Sequence, residues 1–382
     1  MDPRVIATAA KVGNVIESLL ATVRRGRAGP TEKQIRIIPH RSLGDPARLT
    51  VRGRVVRQAT TSARPLGRHG AVTTREHLAA LYRAFDAEEL SYATVEASLD
   101  GVAARTACDA GGFFTIDLPA PNGRPWRAGC LRPQTRLLDV GPTFSASAAA
   151  DALDQRALVE VFVAGAEARL AIVSDLDDTA MDTNTPNTVA AISTITLRSA
   201  RRRRPVPGVV ELYTGLRDGS HGDAQNPVCY ISSGAWNLYD IVLDYLDTHG
   251  LPPGAMMLND WGSPERAFHT VEHSHKSVQV NALMSRLPHL PFLLVGDDVQ
   301  EDAELYADIA LRHPGRVPAI WIRAVRGRAS RLRDIASLQT SLTTVGTRLV
   351  VAADTERFVE DATARDWLPR RTPNAGIRAV PL

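Results

Sequence analysis

An apolar run that ends abruptly in acid, Leu170-Ala-Ile-Val-Ser-Asp175-Leu-Asp177-Asp178-Thr179, sets the chemistry of this chain. Carboxylates crowded at one strand end repel each other and raise their own pKa values unless a cation sits among them. Mg²⁺, a hard ion that takes oxygen ligands, is the expected cation. A calcium loop does not fit, because its sixth position would be Ala180 instead of glycine and its twelfth Pro186 instead of glutamate. Two further apolar runs end in polar groups. Asn226-Pro-Val-Cys-Tyr-Ile231 leads into Ser232-Ser233-Gly234, and Leu290-Pro-Phe-Leu-Leu-Val295 leads into Gly296-Asp297-Asp298. Between them stands Lys276, one of three lysines (Lys11, Lys33, Lys276) among 45 basic residues. Arginine is written nearly everywhere else, so lysine here suggests a need for a compact point charge. A nucleophilic carboxylate, a hydroxyl donor, a fixed cation and a second acidic cluster are the parts of a phosphoryl-transfer site, and Asp175, Ser232, Lys276 and Asp297 supply them.

The elements that must position these groups follow from periodicity. Leu238, Ile241, Val242, Tyr245 and Leu246 share one helical face, and Gly250 stops that helix. Val280, Leu283, Met284 and Leu287 repeat the pattern in a helix opened by Lys276, as do Leu305, Tyr306, Ile309 and Ala310 before His313-Pro-Gly. Val317-Pro-Ala-Ile-Trp-Ile322 reads as a further strand. Strands alternating with amphipathic helices predict a Rossmann-like parallel sheet with helices on both faces, its ligand groups at the carboxyl ends of the strands.

The Asp-x-Asp-x-Thr pattern at a strand end resembles the nucleophile motif of the haloacid dehalogenase superfamily. A closer resemblance is carried by Asp175-Leu-Asp-Asp-Thr179, Pro205-Val-Pro-Gly208 with Glu211-Leu-Tyr213, and Tyr230-Ile-Ser-Ser233 with Trp236-Asn-Leu-Tyr239. Leu258-Asn-Asp-Trp-Gly262, His275-Lys276, Gly296-Asp297 with Asp302-Ala-Glu-Leu-Tyr306, and His313-Pro-Gly-Arg-Val317 continue it over roughly residues 166–325. Seven motifs in one order are similar to the actin-patch phosphatidate phosphatase family. That resemblance implies a haloacid dehalogenase-like fold, Mg²⁺, and removal of phosphate from phosphatidate. It implies Asp175 as nucleophile, Asp177 as general acid and base, and Ser232 with Lys276 as stabilisers of the transferring oxygens. It implies metal held by Asp175, the backbone carbonyl of Asp177 and Asp297, with Asp302 or Asp298 steadying the metal's water shell or Lys276. Ser233, Gly234, Trp236 and Thr179 are expected on the substrate side, with Thr179 and Asp178 shaping the turn. The chain departs from the family at Gly234-Ala235, where Ser-Pro is usual, and at Asp298-Val299, where Ser-Gly is usual, and both changes alter the rim of the site.

At 382 residues and 44% hydrophobic composition the chain is long enough for two globular domains. Residues 1–33 are expected to form an N-terminal helix, 34–165 a small antiparallel β-sandwich, 166–330 the catalytic domain, and 331–382 a peripheral extension packing on it with a loose tail. The β-rich part is read from Leu49–Val56, from Thr94–Leu99 with its Asp100-Gly101 turn, and from Phe113–Leu118. Val5, Ala9, Val12, Ile16, Leu19, Leu20 and Val23 give the first helix an apolar face expected to pack on its own domain, with an acidic membrane surface as the alternative. Cys108, Cys130 and Cys229 lack metal-ligand spacing. Their odd number and the lack of a secretory signal predict a reducing cytoplasm, possible peripheral membrane contact included. Arg198 and Arg201–Arg204 are a positive run suited to a solvated turn or to anionic headgroups. A net charge of +3 without a recognition motif argues against nucleic acid. His269, His273 and His275 raise zinc, against which the adjacent Lys276 and the missing His-Glu-x-x-His pattern weigh. The rival readings are a phosphatase of soluble phosphomonoesters or phosphoproteins, and a non-catalytic membrane or cytoskeletal adaptor that keeps the fold.

Overall fold

The computed structural model describes residues 33–59, 87–142, 153, 155–177, 179–181, 204–259, 272–325 and 327–368. The N-terminal helix, Asp178, Arg198, Arg201–Arg203, Trp261, His269 and the C-terminal tail lie outside the described residues, as does the side chain of His273.

The β-rich part contains β1 (Lys33–His40), β2 (Ser42–Asp45), β3 (Arg48–Ala59), β4 (Glu88–Glu89), β5 (Thr94–Leu99), β6 (Val102–Ala107), β7 (Phe113–Pro119), β8 (Gly129–Leu131), β9 (Gln134–Asp139), β10 (Arg156–Leu158) and β11 (Val161–Val163). Strand β3 is its spine, pairing antiparallel with β1, β2, β4 and β7. A second sheet runs β10-β9-β5-β6, and its β5–β6 hairpin turns through Asp100 and Gly101, both at positive φ. Alternation buries one face of each sheet. Leu49, Val51 and Val55 of β3 and Ile116 and Leu118 of β7 share one core with Val95 and Ala97 of β5 and Leu137 of β9.

The second part holds β12 (Ala171–Asp175), α1 (Val209–Asp218), β13 (Val228–Ala235), α2 (Tyr239–His249), β14 (Ala255–Asn259), α3 (Glu272–Arg286), β15 (Phe292–Asp297), α4 (Asp302–Arg312), β16 (Ala319–Arg323), α5 (Ala329–Thr344), β17 (Arg348–Ala352) and α6 (Glu356–Ala364). Its six strands run in the order β14-β13-β12-β15-β16-β17, and all their pairings are parallel. Apolar side chains cover both faces. Leu212, Tyr213, Tyr245 and Leu246 of α1 and α2 meet one face, and Val280, Leu283, Tyr306 and Ile309 of α3 and α4 meet the other. Counted by appearance, the strand order is 3-2-1-4-5-6, so the chain reverses its direction of travel beside β12. That reversal opens the crevice at the carboxyl ends of β12 and β15. Lys276 does not open its helix; α3 begins at Glu272 and carries Lys276 in its second turn. The 331–368 segment is part of this sheet, because β17 pairs with β16 in parallel register from Ala319↔Arg348 to Arg323↔Ala352.

The two parts join along β14. The amide of Met256 donates to the carbonyl of Arg41, and the amide of Arg41 donates to Tyr239 Oη. The Arg41 guanidinium is buried and reaches Glu160 and Asp247, each at 2.8 Å. Arg286 of α3 reaches back to Asp45 at 3.1 Å.

Candidate active site

Asp175 is the last residue of β12 and Asp297 the last of β15. The two strands are neighbours, with Ser174 opposite Val295, so both carboxylates arrive at the reversal point together. Asp302, the first residue of α4, is folded back onto them by the turn 298–301. Within that turn Asp297 Oδ1 accepts the amides of Val299 (2.6 Å) and Gln300 (3.0 Å). Gly296 is required by this approach, since a β-carbon there would lie 2.5 Å from Asp302 Oδ2. Oxygens of Asp175, Asp297 and Asp302 fall within 4.8 Å of one another. From α3, Lys276 Nζ comes within 2.9 Å of Asp175 Oδ1, 2.6 Å of Asp302 Oδ1 and 3.1 Å of Gln300 Oε1.

All four charged residues are at most 2% exposed. Three carboxylates against one ammonium leave two negative charges in excess. Burial drives Asp175 well above the ordinary carboxylate range, opposed by Lys276 and reinforced by Asp302, Asp297 and Asp177. Asp297 is pushed up to about 8, first by burial and then by Asp302. Burial alone would lower Lys276, yet Asp175 and Asp302 hold it well above its usual value. Asp175 Oδ2 and Asp297 Oδ2 are buried and accept no hydrogen bond among the described residues. A buried set of oxygen donors with surplus negative charge and unsatisfied lone pairs fits a hard divalent cation.

The rest of the predicted set is arranged around this centre. Leu176 O accepts the amides of Ala180 (3.1 Å) and Met181 (2.9 Å), which bends the chain sharply after β12 and brings Asp177 back over the strand end. Ser232 Oγ donates to Asp177 Oδ2 (3.3 Å) and accepts the amide of Gly234 (3.0 Å). Ser233 is buried beside it, and Thr179 is buried in the turn with no hydrogen bond to its hydroxyl among the described residues. Asp298 is turned aside: its two oxygens accept the amides of Val325 (2.8 Å) and Gly327 (3.0 Å). Of Asp298 and Asp302, it is Asp302 that pairs with Lys276. Trp236 stacks on His40 of β1 at 4.1 Å, which places it against the β-rich part. His275 is buried, while the side chain of His273 and the whole of His269 lie outside the described residues.

Two positioning residues escaped the sequence reading. Gln300 holds Lys276, and Arg331 of α5 clamps the turn beneath it. Arg331 donates to Gln300 O (2.8 Å) and Glu304 Oε2 (2.8 Å), and pairs with Glu304 Oε1 as well. Nothing in the local pattern marks Arg331, which is one of several arginines in 323–333.

Residues 170–324 match the family model described as phosphatidate phosphatase APP1, catalytic domain. Among curated proteins, phosphatidate phosphatase APP1 of Saccharomyces cerevisiae is 25% identical over 157 residues, which is 40% of this chain and 26% of the yeast protein. The chain thus spans about a quarter of the length of that relative. A carbohydrate acetylesterase from Xanthomonas citri aligns over 84% of this chain and 69% of its own at 11% identity, with a TM-score of 0.29. That likeness is too slight to bear on fold or site.

Proposed function

From the match of residues 170–324 to the catalytic-domain family of phosphatidate phosphatase APP1, we propose that this chain is a Mg²⁺-dependent phosphatase of a lipid phosphomonoester, phosphatidate or a close relative. The observation that carries this reading is the unsatisfied Asp175 Oδ2, buried at the reversal point of the sheet beside Lys276 and two further carboxylates.

Asp175 Oδ2 attacks phosphorus in line and becomes an aspartyl-phosphate as the ester P–O bond breaks. Asp177, placed after the strand by the tight turn, gives its proton to the departing alkoxide. It then takes a proton from the water that attacks the same phosphorus and restores Asp175. Ser232 donates to a phosphoryl oxygen, and Lys276 offsets the charge spread over the others. Asp175, the carbonyl of Asp177 and Asp297 would hold Mg²⁺, with Asp302 fixing Lys276 and the metal's water shell. Mg²⁺, when bound, supplies the positive charge that keeps these buried carboxylates ionised near neutral pH.

No helix among the described residues is long and apolar enough to cross a membrane. The substrate would be met at a membrane surface, with the arginine run near residue 204 contributing about 1 kcal/mol per charge near an anionic leaflet. Phosphate release from phosphatidate micelles should be measured beside a panel of soluble phosphomonoesters, for the natural chain and for Asp175→Asn. Metal-dependent release from phosphatidate, lost in Asp175→Asn, is the expected result. Undiminished turnover by Asp175→Asn would remove the nucleophile assignment. Preference for a soluble phosphomonoester would remove the lipid, and no release from any ester would leave the adaptor.

A further inference from the structure

Between the β-rich part and the catalytic sheet lies a pocket of about 610 Å³ that the phosphoryl chemistry does not use. One wall is aromatic, made by Phe113 of β7 and by Trp236 at the end of β13. The polar lining includes Arg52 of β3 from one side, and Asn259 of β14 and Gln279 of α3 from the other. Two of the lining residues adjoin the catalytic groups in the chain. Trp236 follows Gly234, whose amide holds Ser232 Oγ, and the lining residue His275 precedes Lys276. Asn259 ends a strand two places from β12, which at the usual strand spacing is about 10 Å across the sheet.

Arg52 is the informative residue here. It is half-buried with its guanidinium 6.0 Å from the Trp236 ring, and no ion pair or hydrogen bond to it is found among the described residues. Arg54, two residues further on the same face of β3, shows the contrast: it pairs with Glu89 at 2.8 Å, donates to Gly111 O and lies over Phe113. A guanidinium taken partly out of water needs oxygen acceptors. The pocket's carboxylate, Asp109, directs its Oδ1 to the amides of Gly111 and Phe113. Burial lowers the pKa of Arg52, and burial followed by the charges of Arg52 and Arg54 lowers that of His40. His40 is therefore a neutral ring stacked on Trp236, and Arg52 lines the pocket as a cation with no ion pair among the described residues.

We propose that this pocket is the leaving-group subsite, in which Arg52 donates to an ester carbonyl of an acylated alcohol while Phe113 and Trp236 cover its hydrocarbon. This rests on the phosphatase reading and assigns the β-rich part a direct share in substrate choice. The test compares phosphatidate, its dialkyl ether analogue without carbonyls, and p-nitrophenyl phosphate, for the natural chain and for Arg52→Met. The ratio of kcat/KM for phosphatidate to that for the aryl phosphate should fall about tenfold or more, the scale of a charged hydrogen bond. The corresponding ratio for the ether lipid should move by less than about threefold. If Arg52→Met does not fold, Arg52→Lys and Gln279→Leu are read on the same ratios, with smaller falls confined to the ester lipid. An equal fall for ester and ether, or an unmoved ratio, overturns the subsite and leaves the phosphatase intact. A natural chain that ignores phosphatidate but hydrolyses soluble esters overturns the acyl subsite, and one that hydrolyses nothing overturns the underlying reading.

Discussion

Replacing Lys276 with methionine keeps the four-atom stem of the side chain and removes the ammonium from among three buried carboxylates. At 2.6 Å and 2.9 Å, Nζ attracts Asp302 and Asp175 by about 6 kcal/mol each at an effective dielectric near 20. Much of that is offset by the desolvation of the ammonium itself. Breaking a buried pair while its partners stay behind costs about 3–5 kcal/mol, and we expect that loss at pH 8 in EDTA. The loss should shrink at pH 5, where Asp175 and Asp297 can take up protons, and shrink again when Mg²⁺ is restored at pH 8. Urea unfolding followed by tryptophan fluorescence measures all three conditions, because buried Trp321 and Trp236 report on this sheet. Turnover should fall about a hundredfold or more, independently of stability, as a stabilising charge at the phosphoryl oxygens is lost. A stability change below about 1 kcal/mol at pH 8 without metal, or one equal at the two pH values, would refute the charge accounting.

Asp297 has its folded pKa at about 8, above its unfolded value, so the metal-free protein carries the full benefit below about pH 4 and loses it as pH rises towards 8. Melting temperature in EDTA should fall across that window and flatten with Mg²⁺, and a flat metal-free profile would count against it. Asp298→Ala should cost about 1–2 kcal/mol through the lost amides of Val325 and Gly327 while titration calorimetry finds Mg²⁺ affinity preserved. Asp302→Ala should weaken Mg²⁺ binding in the same experiment, and the reverse ranking would exchange the two roles. Arg41→Met removes a buried bridge to Glu160 and Asp247, whose carboxylates are a quarter to a third exposed and can rehydrate. We expect about 2 kcal/mol of destabilisation and a broadened or split unfolding transition as the two parts uncouple, visible in calorimetry.

What could be read from the chain and what could not divide along physical lines. Asp175, Ser232 and Asp297 stand where an apolar strand meets polar residues, a local signal, and Leu238–Leu246 and Leu305–Ala310 print their helical faces directly. The Asp100-Gly101 hairpin is equally local. Strand β14 is silent in the sequence because Ala255-Met-Met-Leu-Asn259 lacks the β-branched and aromatic residues that mark strands, and its pairing with β13 defines it. Strand β17, Arg348-Leu-Val-Val-Ala352, carries the branched residues of a strand, but at five residues its place at the sheet edge is set only by its pairing with β16. Asp298 and Asp302 could not be told apart until the turn showed which one faced Lys276. The places of Arg52, Arg41 and Arg331 depend on contacts across domains or elements, and no spacing in the chain encodes those.

The recognised segment, 170–324, ends at the boundary of a motif and not at the boundary of a stable body. Its first edge strand, β14, gives the amide of Met256 to Arg41, and its last strand within the segment, β16, is paired on the outside by β17. Beneath β17, Asp361 of α6 accepts Trp321 Nε1 at 3.0 Å and pairs with Arg348 and Arg365. Excising the segment would bare two strand edges, strip the indole of its acceptor and release the clamp of Arg331 on the Gln300 turn. Inheritance and autonomy therefore follow different borders in this protein. The matched string of motifs is compact, whereas the contacts that brace its strands extend from Arg41 to Asp361.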